Sequence, residues 1–188
     1  WDSGQSPPFH VLALSLGAMT TLSWMDDYPS EVAAAALMNT SVARFSPFWR
    51  RLRYQNYGQI LRALLAMSRQ KREAIILSIT SNQLDATQQQ ALARKWADYA
   101  EQQPVSTANA LRQLLSAARF HAPDSLPAGV PVLVLNGGGD RLVSPRCSQE
   151  LASGWNLPLK VHPGGGHDLT LDQPDWVVDE LRQWLTAP

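Results

Sequence analysis

Two short apolar runs, each followed at once by a polar residue beside glycine, constrain the fold more than any other feature of the sequence. The first run is VLAL at residues 11–14, which leads into Ser15 and Gly17. The second is VPVLVL at residues 130–135, which leads through a glycine-rich turn to Asp140. An unbroken apolar run of this length is typical of a strand in a parallel sheet that is covered on both faces. The two runs therefore predict buried strands that end in loops with polar side chains.

The remaining segments outside the middle of the chain alternate between helix and strand patterns. Helical patterns occupy residues 16–31, 144–155 and 173–185, whereas residues 32–40 and 159–163 are strand candidates. The alanines of residues 32–40 also suit a helix, so that segment is ambiguous. The resulting order, β-α-β, a helical insertion and then β-α-β-α, predicts an α/β fold with a mainly parallel sheet flanked by helices.

The middle of the chain has a different pattern of apolar residues and contains no convincing strand. Apolar residues recur there at three-to-four spacing, which predicts three or four amphipathic helices. We therefore divide the chain into a core of residues 1–40 and 122–188 and an inserted all-helical cap of residues 41–121. The aromatic residues that open the cap either pack it onto the core or form an apolar wall for substrate; they include Phe45, Phe48 and Trp49. Arg50, Arg51 and Arg53 are predicted to form a solvated face, with anion binding by one of them as the alternative.

Bulk composition excludes several classes of partner. The 16 basic and 16 acidic residues give a formal net charge of zero, which argues against binding to nucleic acid. No apolar run approaches the roughly 20 residues of a membrane span. The single cysteine, Cys147, cannot form an intramolecular disulfide, and with no visible targeting signal this favours a cytoplasmic location. No histidine, cysteine or acidic cluster has metal-ligand spacing, so we expect neither a metal nor another cofactor.

Three chemically active side chains lie at the predicted carboxyl ends of strands. Ser15 follows the first strand, Asp140 follows GGG at residues 137–139, and His167 follows GGG at residues 164–166. Ligands of open parallel sheets bind beyond the carboxyl ends of the strands. Serine, histidine and aspartate together can form a nucleophile set, in which histidine takes the serine proton and aspartate orients the imidazole. The sequence therefore points to nucleophilic catalysis at this edge of the sheet.

The segments ALSLGAM, LNGGGDRLVSP and PGGGHDLTLDQPDWV resemble the α/β-hydrolase superfamily in the chain order Ser…Asp…His. The resemblance implies that Ser15 is the nucleophile on a tight strand-to-helix turn, Asp140 the acid and His167 the base. It also implies that the N–H of Leu16 donates to an oxyanion, and that a small acyl compound, such as a carboxylic ester, is the substrate. The family motif G-x-S-x-G has Ala13 in place of its first glycine here, and we expect small residues at both ends of the motif because the turn is tight.

Each of these residues also has a simpler interpretation. Ser15 could be a helix N-cap, and Asp140 could be an ordinary turn residue. Rival acids are Asp124, Asp168 and Asp172, although the last two are close to His167 in sequence. His10, His121 and His162 are weaker base candidates. The glycine runs also suit a phosphate-binding loop, but neither run has the G-x-x-x-x-G-K-[ST] pattern.

The resemblance covers only the later part of the family fold, since only ten residues precede Val11. We therefore expect one bare sheet edge and an oxyanion site with at most one of its two donors. An N-terminal segment or a second copy of the chain could complete the sheet. The alternative function is a catalytically silent hydrolase fragment that binds a partner, or dimerises, through the exposed edge.

Overall fold

The structure is a computed structural model that describes residues 6–186. Its four strands are β1 (Phe9–Leu14), β2 (Val32–Met38), β3 (Val132–Gly137) and β4 (Leu159–His162). Its helices are α1 (Leu16–Asp27), α2 (Phe48–Arg51), α3 (Tyr57–Leu65), α4 (Arg69–Thr80), α5 (Ala86–Gln102), α6 (Thr107–Arg119), α7 (Pro145–Gly154), α8 (Leu169–Asp172) and α9 (Pro174–Leu185). Short 3₁₀ turns occupy Pro29–Glu31 and Tyr54–Asn56.

The strands form one parallel sheet in the order β1-β2-β3-β4. In this register Leu14 lies opposite Met38, and Met38 lies opposite Leu135. The carboxyl ends of the strands therefore meet along one edge of the sheet. The predicted α/β class, with a parallel sheet flanked by helices, is confirmed. The alanine-rich segment of residues 32–40 forms a strand, because it pairs on both sides with apolar strands.

The central strands are continuous apolar runs because both faces of the sheet are covered. On one face, Leu37 and Val134 belong to a buried cluster with Leu22 of α1 and Leu151 of α7. On the other face, alternate residues of the same strands pack against α8 and α9; this cluster contains Ala36, Met38, Leu133, Leu135, Leu169 and Val177. The sheet is thus the middle layer of three, and its carboxyl edge is left for the loops.

The cap helices, α2–α6, lie between β2 and β3 in the chain and contact the loop that follows β3. Asn56 Nδ2 donates to the carbonyl of Arg141 at 2.7 Å. Asn82 Nδ2 donates to the carbonyl of Gly139 at 2.8 Å, and Arg53 Nη1 donates to the carbonyl of Asp140 at 3.1 Å. These bonds fix the cap against the Asp140 loop. The exact domain limits at residues 41 and 121 stay predictions.

The outer edge of β1 faces no other strand within residues 6–186. Leu12, in the middle of β1, is half-exposed. Pairing of this edge with a partner or a second copy stays a prediction. Residues 1–5, which belong to the segment before β1 considered above, lie outside the described residues. No helix of residues 6–186 is both long and apolar enough to cross a membrane.

Candidate active site

Ser15 occupies a strained turn between β1 and α1. Its backbone has φ 52° and ψ −114°, a left-handed conformation that costs a residue with a side chain free energy. The turn is held by the Ser15 N–H, which donates to Met38 O at 2.8 Å, and by Thr40 Oγ1, which donates to Ser15 O at 2.9 Å. Ser15 occupies the N-cap position of α1, but its side chain makes no cap bond to the helix.

The expected steric reason for a small residue at Gly17 does not hold among the described residues. A Cβ on Gly17 would have no heavy atom within 4 Å there. The turn is tight at Ser15, where φ is positive, and not two residues later. Leu16 begins α1, so its N–H is among the first donors of the helix, which have no acceptor inside it. That N–H is free to face a developing negative charge, as an oxyanion donor must.

Asp140 and His167 form a buried pair. His167 Nδ1 lies 2.8 Å from Asp140 Oδ2, and the two residues are 5% and 2% exposed. A carboxylate can only accept, so Nδ1 carries the proton and Nε2 is left as an acceptor. The other carboxylate oxygen, Oδ1, accepts the N–H groups of Leu142 and Val143 at 2.8 and 3.0 Å. The Asp140 side chain is therefore oriented from both sides.

The rival acids lie elsewhere. Asp124 is exposed and pairs with Arg44. Asp168 caps α8 by accepting the N–H of Leu171. Among the described residues, none of the three rivals bonds to His167, and the imidazole contacts Asp140 instead.

The two glycine runs allow the Asp140 and His167 loops to touch through their backbones. Gly139 N donates to Gly165 O at 2.9 Å, and Gly138 N donates to His162 O at 2.8 Å. A Cβ on Gly137 would collide with the carbonyl oxygens of Gly165 and Gly166. The glycines thus allow a contact between the two loops that brings Asp140 and His167 together. This contact, rather than phosphate binding, accounts for the glycine runs.

Asn39, at the tip of β2, was missed in the sequence and ties the same two loops together. Its Nδ2 donates to the carbonyls of Gly166 at 2.9 Å and His167 at 2.7 Å, while its Oδ1 accepts the N–H of Gly137 at 2.7 Å. The residue is 1% exposed, and its φ is 44°. Asparagine tolerates this backbone conformation better than most residues. The available signal was a polar residue directly after a buried strand.

Asp172, at the end of α8 in the core, links the His167 loop to the cap. This buried carboxylate accepts the N–H of Gly166 at 2.7 Å, the N–H of Asn82 at 2.9 Å and the hydroxyl of Ser81. Asp168 N also donates to the carbonyl of Thr80 at 2.8 Å. The end of α4 is therefore fastened to the segment that carries the histidine. Asp172, weighed above only as a rival acid, has a connecting position instead.

A cavity of about 350 Å³ separates the core from the cap. Ser15 and Leu16 line it from the core, and apolar side chains of the cap helices, such as Ile60 and Ile76, line it from the other side. His167 is not part of this lining, and within residues 6–186 Ser15 Oγ makes no hydrogen bond to it. Catalytic hydrogen bonds are often long in structures without substrate. The structure thus brings Asp140 and His167 into contact and places Ser15 at the cavity.

The aromatic wall expected at the start of the cap is only partly present. Phe48 lines the cavity, whereas Phe45 and Trp49 do not. Phe45 packs edge-on against Trp155 with ring centroids 5.1 Å apart, because it faces the core. Trp49 is 64% exposed.

The predicted solvated face of arginines is wrong. Arg50 pairs with Glu150, and Arg53 donates to the carbonyl of Asp140. Arg51 is buried and lines the cavity, and burial lowers the pKa of its guanidinium. These side chains are drawn inward because the first turns of the cap lie across the Asp140 loop.

The chain is a three-layer α/β protein with a parallel sheet and a helical cap. It carries a serine on a strained strand-to-helix turn and a buried histidine–aspartate pair at the carboxyl edge of the sheet. The Alpha/beta hydrolase family matches residues 2–180, so the chain belongs to that family. A comparison with curated protein sequences returned no match.

Solved structures support the same fold. A meta-cleavage product hydrolase from Pseudomonas fluorescens IP01 is 17% identical, with a TM-score of 0.73 over 98% of this chain and 66% of that one. The 2-hydroxy-6-oxo-6-phenylhexa-2,4-dienoate hydrolase from Rhodococcus sp. strain RHA1 is 20% identical, with a TM-score of 0.69 over 95% and 64%. A thermophilic esterase from Thermogutta terrifontis is 18% identical, with a TM-score of 0.66 over 95% and 65%. The chain spans less than two thirds of the length of these structures.

Proposed function

We propose that the protein is a serine hydrolase that cleaves a carboxylic ester or a related acyl compound through an acyl-enzyme. The observation that carries the proposal is the 2.8 Å hydrogen bond between His167 Nδ1 and Asp140 Oδ2, buried at the same sheet edge as the strained Ser15. When Nδ1 donates its proton to the carboxylate, Nε2 is the ring nitrogen that can accept a proton. The thermophilic esterase with the same fold supports this choice of reaction.

In the proposed reaction His167 Nε2 takes the hydroxyl proton of Ser15 as Oγ attacks the carbonyl carbon. Asp140 holds the Nδ1–H tautomer and stabilises the imidazolium. The N–H of Leu16 donates to the carbonyl oxygen as it becomes negative. His167 then returns the proton to the departing alkoxide, which leaves as an alcohol. Water, deprotonated by His167, finally cleaves the acyl–serine ester and releases a carboxylic acid and the free serine.

The first test is covalent labelling with a fluorophosphonate, followed by intact-mass analysis. We expect one adduct on the parent protein, none on Ser15→Ala and one on the control Ser23→Ala, which removes an exposed hydroxyl of α1. Circular dichroism verifies that each variant is folded. An adduct on Ser15→Ala, or no adduct on a folded parent, would refute the assignment of the nucleophile.

The rate of hydrolysis of p-nitrophenyl esters then tests the proposed role of Asp140. We expect Asp140→Asn to lower kcat by roughly 10³–10⁴, because an amide favours the wrong imidazole tautomer. A loss smaller than tenfold would show that Asp140 does not orient the base.

A further inference from the structure

The cavity beside Ser15 is apolar but carries unbalanced positive charge. The ionisable residues in its lining are Arg51 of α2 and Arg72 of α4, and no aspartate or glutamate of residues 6–186 lines it. Both arginines belong to the cap, whereas Ser15 belongs to the core. Ser15 therefore lines the cavity from the core, and the two arginines line it from the cap.

Arg51 is the more unusual of the two, because its charge is buried. The residue is only 8% exposed, and within the described part of the chain it makes no ion pair with a carboxylate. Its Nη1 and Nη2 donate to the carbonyls of Ala118 and Ala117, and its buried Nε has no hydrogen-bond partner there. A buried charge is costly unless it is paired.

Arg51 also has a structural explanation, which must be weighed first. Ala117 and Ala118 lie in the last turn of α6, where a cation stabilises the free carbonyls of a helix. That contact accounts for two donors of the side chain. It does not account for the burial of a full positive charge in the wall of the cavity or for the unpartnered Nε. Arg72 has a similar structural contact, since its Nε and Nη2 donate to the carbonyls of Ala63 and Ala66 at the end of α3, at 3.2 and 3.4 Å.

We propose that the cavity recognises an anionic carboxylate on the substrate, held by Arg51 with Arg72 contributing positive charge. This inference rests on the proposed function and narrows its substrate class to esters whose apolar chain carries a carboxylate away from the scissile carbonyl. Arginine suits this task because its planar guanidinium matches a carboxylate. The apolar lining between the serine and the arginines accommodates the chain that joins the two groups.

The test is a calorimetric titration of Ser15→Ala, which cannot turn the ligand over, with two compounds of equal length. One is monomethyl adipate, which carries a carboxylate, and the other is its neutral ω-amide. We expect the acid to bind at least about tenfold more tightly than the amide, as for one charge-assisted hydrogen bond. Adding Arg51→Gln should abolish the preference. Adding Arg50→Gln should keep it, because Arg50 pairs with Glu150 and does not line the cavity.

Several outcomes would overturn the inference. The first is that neither compound binds, and the second is that acid and amide bind Ser15→Ala equally. The third is that Arg51→Gln weakens the binding of acid and amide by the same factor, which would mean that Arg51 has a purely structural role. The comparison of acid with amide is made on Ser15→Ala and needs no arginine variant. It therefore tests recognition of the carboxylate even if Arg51→Gln does not fold. If the acid binds in this way but the folded parent gives no fluorophosphonate adduct, the proposed function fails while the anion site stands.

Discussion

At the scale of single residues, Asn39 positions the candidate site by joining the loops that carry Asp140 and His167. Ser15, Asp140 and His167 can be predicted as candidates from sequence because each follows a strand and lies within two residues of a glycine. Asn39 has no glycine beside it and performs no chemistry. Its three buried hydrogen bonds to the acid and base loops exist only once β2, β3 and β4 are side by side.

Asn39→Asp should therefore destabilise the protein strongly, although it only replaces the side-chain amide nitrogen with an oxygen. The change removes both N–H donors and turns a carboxylate oxygen toward the carbonyls of Gly166 and His167. We expect the free energy of unfolding to fall by about 2–4 kcal/mol, since buried carbonyls lose their partners. Urea unfolding followed by circular dichroism measures it.

The matched control is Asn109→Asp, the same change in the first turn of α6 on the exposed surface. We expect its effect to stay within about 0.5 kcal/mol. Equal effects of the two variants would mean that the Asn39 hydrogen bonds do not hold the loops.

At the scale of elements, the glycines of the chain have two different functions. The two glycine runs let the loops after β3 and β4 approach through their backbones, and this contact places His167 beside Asp140. Gly17, in contrast, lies in the first turn of α1 with open space around its Cα among the described residues. The family motif predicts a small residue at Gly17, but the three-dimensional contacts show that the crowded positions lie in the two glycine runs.

Gly17→Ala and Gly166→Ala should accordingly have opposite effects. Gly17→Ala should raise the free energy of unfolding by about 0.5–1 kcal/mol, because alanine loses less backbone entropy in a helix. Gly166→Ala should lower it by about 1–3 kcal/mol, because its Cβ would lie 2.6 Å from Asp172 Oδ2 and 2.8 Å from Thr80 O. Thermal and urea unfolding of both variants provide the measurement. A destabilising Gly17→Ala would show that the turn is tighter than it is in the structure.

At the scale of the whole molecule, the cap and the core enclose the site jointly. Asn56, Asn82 and Arg53 fasten the cap to the Asp140 loop, and Asp172 fastens the His167 loop to the end of α4. Cys147 of α7 is completely buried in the folded protein. Burial raises the pKa of this thiol.

Cys147 therefore reports on opening of the folded protein. A raised pKa keeps the thiol protonated at pH 8, and the thiolate is the reactive form. We expect its reaction with Ellman's reagent to be at least roughly a hundredfold slower in buffer than in concentrated guanidinium chloride, since it requires opening of the core. The chain has no other cysteine, so the absorbance change has one source. Rapid reaction of one equivalent in buffer would contradict the buried position.

The sequence by itself determined the fold class and the candidate acid, base and nucleophile. Unbroken apolar runs are typical of a parallel sheet with two covered faces, and the residues that follow parallel strands lie at one edge of the sheet. Tertiary structure alone decided that Arg51 is buried in the cavity wall, that Phe45 faces the core and that Asn39 joins two loops. These outcomes depend on contacts between segments distant in the chain, such as the first turn of the cap against α6. Local periodicity and composition do not encode such contacts, because they depend on which surfaces meet after the strands have paired.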